Sequence, residues 1–445
     1  MGLKFWYGYN NFKTLTDMGY KEISLKLPPG YAEDQLKRRI GKELNIKAFS
    51  YQIESKSLDA RKKDNIHWLI RVAVSSEELK VTPRLFVPSL EIPYQKRKEK
   101  ILVVGNGPAG FFSAYVLQKA GFQTTLIDRG AEATKREAGI KRFERNGIFD
   151  PVGNYAFGEG GAGTFSDGKL TSRSKHISKE KRFILESYIQ AGAPEEIGYM
   201  AHPHIGSDRL KIIVQHLREQ YQKMGGKVYF ETLFEDMKVE KDRVAETVTS
   251  AGSLDADMLI IAPGHSSFET YRMLSKRGVS FRTKNFAIGS RVEHLQEVIN
   301  LAQWGKKKLP GVKAAEYRLT YNCKGNLPVF TFCMCPGGTV VPATAYSHSN
   351  IVNGMSRYLR NGKFANAACV AAVNPDRLLQ KNTTPLEVLD WLEALERRFF
   401  DITDKYEAPY CSIKDFIEKK ETAVRVETSY PLGLKPLALW EMLPA

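Results

Sequence analysis

Four consecutive apolar residues, Ile101, Leu102, Val103 and Val104, run directly into Gly105-Asn106-Gly107-Pro108-Ala109-Gly110. A continuous apolar run without alternation is the pattern of a strand buried on both faces of a parallel sheet. Three glycines spaced G-x-G-x-x-G after such a strand restrict both the turn and the helix beyond it. Gly105 permits a sharp turn, Gly107 lets backbone approach a pyrophosphate, and Gly110 allows a helix to pack closely on the strand. The helix opening at Pro108 and Ala109 directs its free N–H groups and its dipole at an anion. Gln123 to Ile127 reads as the second strand and ends in Asp128, 18 residues past Gly110. A carboxylate there is placed for the hydroxyls of an adenosine ribose. The fold class implied is α/β, with a Rossmann-like nucleotide-binding unit.

The spacing of the third strand decides which dinucleotide is expected. About a hundred residues separate Asp128 from the next comparable run, Lys227 to Phe230, far more than a compact NAD unit contains between strands. Such an insertion, with a single G-x-G-x-x-G, points to FAD and gives no sign of a dedicated second unit for NAD(P)H. A later buried run, Met258 to Ile261, ends in Ala262-Pro263-Gly264, similar to the strand that closes the FAD unit of glutathione-reductase-like flavoproteins. Arg129, Phe234, Ala262 and Gly264 join the glycines, Pro108, Ala109 and Asp128 as cofactor-binding candidates.

A second glycine cluster, FGEGGAGTFSDGKL from Phe157 to Leu170, carries Gly158, Gly160, Gly161 and Gly163. Such density raises the entropy lost on ordering, and it marks backbone lying against a ligand or taking positive φ. Gly160, Gly161, Gly163 and Thr164 are candidates for phosphate or the polar edge of a flavin. Lys169 is placed to sit near flavin N1, where a positive charge favours the reduced anion.

The N-terminal hundred residues have a different character. They hold 20 Lys and Arg against 12 Asp and Glu, so half of the chain's formal charge of +16 lies in under a quarter of its length. The order is an alternating strand from Lys21, an amphipathic helix over AEDQLKRRIGKEL, and strands around Tyr51 and Ile70 separated by the polar loop SLDARKKDN. This predicts a small α+β domain ending near Val87, with a basic, proline-containing linker to a boundary near residue 98. The basic surface raises nucleic acid as a possible partner, beside the plainer reading of a solvated lysine-rich face. An RNA-associated flavoprotein is therefore the alternative to a metabolic enzyme. There is no repeat of fixed period and no low-complexity tract.

MGLKFWYGYN lacks the apolar core of a secretory signal, and no apolar run reaches the ~18 residues of a membrane span. Five irregularly spaced cysteines argue against a disulfide framework. The expectation is a cytoplasmic protein with free thiols and no membrane partner.

The remaining candidates are for chemistry. Cys333 and Cys335 flank Met334 in a strand-like run entering Gly337-Gly338. Alternate strand residues share a face, but two rises of about 3.3 Å put the Cα atoms near the upper limit for a disulfide. A redox pair therefore requires a kinked strand, and a single reactive thiol is the easier arrangement. His202 and His204 in AHPHIG, and Arg291 and His294 in GSRVEHL, could serve as acid, base or carboxylate anchor. His204 is the preferred histidine. No spacing matches a metal site, so none is expected.

Taken together, SLDARKK, the Rossmann glycines, FGEGGAGTFSDGKL, HPHIGSDRL, FAIGSRVEHL, TFCMCPGG and VNGMS resemble the bacterial FAD-dependent dehydrogenases that carry an extra N-terminal domain. The resemblance runs over nearly the whole chain. It implies FAD, a glutathione-reductase-type fold with a β-rich substrate domain inserted, and redox chemistry between flavin and an organic substrate, with NAD(P)H as a possible electron partner. Family members end in a second glycine-rich segment covering the flavin, which is not apparent before EMLPA, and this implies a C-terminally truncated chain. The expected division is 1–98 for the basic domain, 99–268 for the FAD-binding domain and 269–445 for the substrate domain.

Overall fold

The computed structural model describes residues 19–80, 89–172, 174–241, 243–322, 328–421 and 426–443. The MGLKFWYGYN segment, the expected domain end near Val87, and Cys323 lie outside them.

The N-terminal unit is β1 (Gly19–Leu27), α1 (Glu33–Leu44), β2 (Ser50–Asp59) and β3 (His67–Ser76). They form an antiparallel sheet of order β1-β3-β2. Leu36 and Ile40 of α1 are buried against Leu25, Leu27, Ile70, Val72 and Val74, as the four-residue spacing dictates. The first residues of the expected polar loop belong instead to β2, because Leu58 pairs with Trp68 and Asp59 with His67. Ladder pairing to a long partner strand outweighs the local polarity of Ser57 and Asp59.

The central unit opens with β4 (Lys100–Val104), α2 (Pro108–Lys119), β5 (Gln123–Ile127) and α3 (Ala133–Asn146). Next come α4 (Ser178–Gln190), α5 (Ser207–Lys223), β6 (Lys227–Tyr229), the antiparallel β7 (Phe234–Glu240), β8 (Arg243–Thr249) and β9 (Gly252–Leu254), then β10 (Met258–Ile261) and α6 (Phe268–Lys276). The main sheet has the order β10-β4-β5-β6, with all neighbours parallel. Alternation along β4 sends Ile101 and Val103 to one face, against Phe111 and Tyr115 of α2 and Ile213 and Leu217 of α5. Leu102 and Val104 go to the other, with Ile127, Phe234, Met237 and Leu274. Helices thus cover one face and the β7–β9 sheet with α6 covers the other. The strand reads as a continuous apolar run for this reason.

The remaining elements include β11 (Phe286–Leu295), α7 (Gln296–Trp304), β12 (Thr320–Tyr321), β13 (Val329–Cys335), β14 (Thr339–Pro342), β15 (Val352–Met355) and β16 (Phe364–Val373). An antiparallel sheet of order β11-β16-β13-β12 is joined by the β14-β15 pair. Trp304, Leu309 and Ala315 pack with Leu58, Ala60 and Ile66, so this sheet's flanking helix is cored partly by the N-terminal unit. Among the described residues no helix is long and apolar enough to cross a membrane. The four described cysteines are free.

Candidate functional site: a glycine turn, a glycine loop and a buried polar cluster

The turn after β4 is built on glycines for steric reasons that can be read atom by atom. Gly105 has φ +98°, and a Cβ there would lie 2.1 Å from the Ala262 carbonyl oxygen. A Cβ on Gly110 would lie 1.8 Å from the Gly105 carbonyl oxygen, so helix and strand approach too closely for any side chain. Gly107 differs: a Cβ there would meet only the Gly161 Cα, at 3.8 Å. It is also the N-cap of α2, which has Pro108 and Ala109 in its first turn and no side-chain cap. The Ala262 amide is bound to the Val104 carbonyl at 2.8 Å, and this pins β10's end beside the turn. Gly264 (φ +76°) faces open space.

Asp128 is buried at the end of β5. Its Oδ2 accepts the N–H of Asn106 at 2.7 Å, and its Oδ1 accepts those of Gly130 and Gly158, each at 2.8 Å. Burial pushes its pKa up, against these hydrogen bonds and the Arg136 charge. The acid therefore fastens three chain segments, the turn, the end of β5 and the glycine loop. A carboxylate offers about four acceptor positions, and three are used.

The glycine loop lies across the turn: a Cβ on Gly161, at φ +65°, would come 2.8 Å from the Gly107 Cα. Arg136 of α3, fully buried, organises it by donating to the carbonyls of Asn154, Tyr155, Glu159 and Gly161. Burial lowers the Arg136 pKa to about 10, opposed by the charges of Asp128 and Glu159. Glu159 accepts the Ala133 N–H at 2.8 Å and pairs with Arg218 at 2.9 Å, and Thr164 Oγ1 donates to the Glu159 carbonyl at 2.8 Å. A Cβ on Gly163 would meet nothing within 4 Å.

From there the chain enters a buried polar cluster. Asp167, 1 % exposed, accepts from Arg360 Nη2 at 2.6 Å, from Ser356 Oγ, and lies 2.7 Å from Lys169 Nζ. Burial alone would raise its pKa, but the Arg360 and Lys169 charges prevail and hold it at about 2. Lys169 Nζ donates to the Met334 carbonyl, between the two cysteines of β13. Cys335 Sγ donates to the Cys333 carbonyl at 3.4 Å, and Arg291 Nη1 reaches the same carbonyl at 3.3 Å. His204 Nε2 donates to the Tyr358 carbonyl at 3.1 Å and its ring stacks on Tyr358. Burial, then the Arg360 charge, depresses its pKa to about 4, so it is a neutral imidazole.

The anticipated residues thus fall into separate groups. Gly105, Gly107, Pro108, Ala109, Gly110 and Asp128 meet Gly160, Gly161 and Thr164 in one place, while Lys169, His204, Cys333 and Cys335 gather in the adjoining cluster. Arg129 stacks over Phe157 at 4.2 Å and pairs with Glu269, and Tyr346 Oη donates to that same carboxylate. Phe234 is 3 % exposed within the sheet core. His202 is exposed, and His294 Nε2 meets the Tyr317 hydroxyl at 3.0 Å on β11. Sequence reasoning missed Arg136, Arg360 and Ser356. Only a pattern of charged residues in otherwise buried positions would have signalled the two arginines, and Ser356 gives no such sign. In α1, Lys37 and Arg39 pair within the helix with Glu33 and Glu43, and Arg38 and Lys42 border a surface recess. Among the described residues no group of His, Cys, Asp and Glu could hold a metal ion.

The chain is similar to known flavin-binding families. Residues 285–445 match the family described as FAD-dependent protein, C-terminal domain-like, residues 98–154 match an FAD binding domain, and residues 20–75 match a domain of unknown function. An uncharacterized protein of Clostridium beijerinckii is 35 % identical over 429 residues, covering 92 % of this chain and 80 % of that one. The chain belongs to the same family as this clostridial protein. It is a flavoprotein, and FAD is its cofactor. The flavoprotein is also 23 % identical over 282 residues to the FAD-dependent monooxygenase ausM of Penicillium brasilianum, covering 60 % of this chain and 56 % of that one. Among solved structures, it matches an FAD-dependent pyridine nucleotide-disulphide oxidoreductase from Desulfovibrio vulgaris at 18 % identity and a TM-score of 0.19, covering 41 % of this chain and 28 % of that one.

The flavoprotein's own residues fit the cofactor. Asn106, 2 % exposed, holds its Nδ2 in the turn with no protein partner among the described residues. It lines a recess with Gly107, Pro108, Glu159 and Gly160. An unpaired buried donor beside an uncapped helix N-terminus matches the needs of a pyrophosphate.

Proposed function

We propose that the flavoprotein transfers hydride or electrons between FAD and an organic substrate bound against the Asp167–Lys169–Cys333 cluster. The layout we infer is of the glutathione-reductase type, with 1–98 as an accessory domain, 99–268 holding the cofactor and 269–445 shaping the substrate site. When bound, FAD supplies the redox chemistry, accepting and returning a hydride or single electrons. Gly107, Ala109 and Gly110 present the helix N-terminus to the pyrophosphate, and the remaining acceptor position of Asp128 is available to a ribose hydroxyl.

One observation carries the reading: the chain passes from Gly161, in contact with the turn, to Lys169, in contact with the Met334 carbonyl, in eight residues. That short connection supports reading the cofactor turn and the polar cluster as parts of one site. Lys169 holds a positive charge at the junction. His204, neutral and donating to Tyr358, positions the segment beside it, since Lys169 and His204 form an isolated antiparallel bridge. The reductant is an electron donor such as NAD(P)H, entering the same site in turn with the substrate.

The test is a screen of reductants and oxidants against the FAD-loaded full chain, monitored by flavin absorbance, with Lys169→Met alongside. The variant is expected to bind FAD and to be reduced at least tenfold more slowly. Equal reduction rates for both proteins across every active reductant would remove the cluster from the reaction.

A further inference from the structure

We infer that Cys333 and Cys335 form a redox-active dithiol that reduces low-molecular-weight disulfides. This rests on the proposed function, since the electrons come from the flavin site.

Two residues apart on a regular strand, the cysteine Cα atoms would sit about 6.6 Å from one another, near the limit for a disulfide. β13 is not regular there. Phe332 pairs with Ala368 and Cys335 with Asn366, so Cys333 and Met334 together oppose a single residue of β16. This is a β-bulge, and Cys333 takes it up at φ +48°, a left-handed conformation that non-glycine residues rarely adopt. The bulge breaks the alternation: Phe332 is exposed while Met334 is buried against Ala365 and Ala367. It also turns the backbone so that Cys335 Sγ reaches back to the Cys333 carbonyl at 3.4 Å.

The two sulfurs are not equivalent. Cys333 is half-buried, whereas Cys335 is fully buried. Lys169 and Arg291, both bonded to carbonyls of this same bulge, place two positive charges beside the pair. The Cys335 thiol and then these charges lower the Cys333 pKa against its burial, while Cys335 is raised. An accessible thiolate with a buried neighbour has the division of labour of attacking and resolving cysteines.

The Cys333 thiolate attacks one sulfur of the substrate disulfide, forming a mixed disulfide and releasing the first substrate thiol with a proton from solvent. Cys335 then attacks the Cys333 sulfur, giving up its proton to the second departing thiol and leaving a Cys333–Cys335 disulfide. FAD held at the turn would, when reduced, supply the two electrons and two protons that restore the dithiol.

The full-length holoprotein would be exposed to oxidised glutathione, quenched in acid, alkylated, digested and weighed. We expect the Cys333–Cys335 peptide to lose two hydrogens and resist alkylation, reversibly with dithiothreitol, while Cys369 and Cys411 alkylate normally. Cys335→Ser should trap glutathione on Cys333, and Cys333→Ser should leave Cys335 unreacted. Anaerobic reductive titration of the oxidised protein should consume about twice the equivalents per flavin needed by Cys335→Ser. The inference is overturned if both cysteines alkylate throughout, if wild type holds a stable mixed disulfide, or if Cys335 reacts equally well without Cys333. A pair that oxidises normally in a protein that never takes up FAD would uphold the dithiol and remove the flavin reading instead.

Discussion

Asp128 Oδ1 accepts the backbone N–H of Gly158 at 2.8 Å, so the acid that ends the second Rossmann strand also anchors the start of the glycine loop 30 residues later. The same carboxylate binds Asn106 and Gly130. Asp128→Asn keeps the shape but turns an NH₂ group onto at least one of these N–H donors. A buried donor facing a donor costs about 1–3 kcal/mol. The variant should therefore melt several degrees lower as apoprotein and bind FAD at least tenfold more weakly by calorimetry. An unchanged melting temperature would show that the loop is held by Arg136 alone.

The glycines of the turn separate folding from cofactor binding. At Gly110 a methyl group would collide with backbone oxygen at 1.8 Å, whereas at Gly107 it meets an ordinary contact at 3.8 Å. Gly110→Ala is expected to lose at least the ~1–3 kcal/mol typical of overpacking, with correspondingly reduced yield and melting temperature. Gly107→Ala should leave the apoprotein's melting temperature within a degree or two and still weaken FAD binding tenfold or more, because the methyl would stand where the proposed site puts the pyrophosphate. If Gly107→Ala binds FAD normally, the pyrophosphate lies elsewhere.

The Asp167–Arg360 pair joins the glycine loop to the segment after β15, across 193 positions. Asp167 ordinarily titrates near 3.8 and is held at about 2 in the fold, so its contribution is present above about pH 4 and lost as pH falls toward 2. The shift corresponds to roughly 2 kcal/mol. Arg360→Met takes away one of the two cations at the buried carboxylate, leaving Lys169 at 2.7 Å, and should cost about 1–3 kcal/mol at neutral pH. The deficit should shrink on acidification below about pH 5, as the carboxyl, now paired with Lys169 alone, protonates more readily. Urea unfolding across that range checks it, and a deficit independent of pH would mean that lost packing, not charge, is responsible.

How much of the fold and site is written locally differs from element to element. β4, α2 and β5 lie where the apolar run, Pro108 and the Gln123–Ile127 stretch place them, because each is specified by neighbours within a few residues. The glycine cluster likewise announces positive φ, and Gly158, Gly160 and Gly161 all adopt it. Arg136 and Arg360 left no such mark: their partners are carbonyls and a carboxylate supplied by distant segments, and a lone arginine in a helix or loop reads as solvated. Cys333 was legible as a residue but not as a bulge, since the register shift arises from pairing with β16, and nothing in FCMC demands φ +48° of a cysteine. Tertiary pairing decides such positions, and it is invisible to a local period.

His204 gives the pH dependence with the clearest sign. Burial, then the Arg360 charge, holds its pKa at about 4 against an ordinary value of 6.5, with Asp167 opposing and Lys313 adding to the depression. In the folded protein the ring stays neutral and donates to the Tyr358 carbonyl, whereas in the unfolded chain it takes up a proton below about pH 6.5. Stability from this residue is therefore complete above that pH, falls as the solution is acidified, and is exhausted near pH 4, a total of about 3 kcal/mol. Gln can donate to the same carbonyl without titrating, so His204→Gln should be somewhat less stable at neutral pH through loss of the stack on Tyr358. Its unfolding free energy should decline less between about pH 6.5 and pH 4. Parallel urea titrations of both proteins over this window measure the difference in slope, and identical slopes would place the proton uptake on another group.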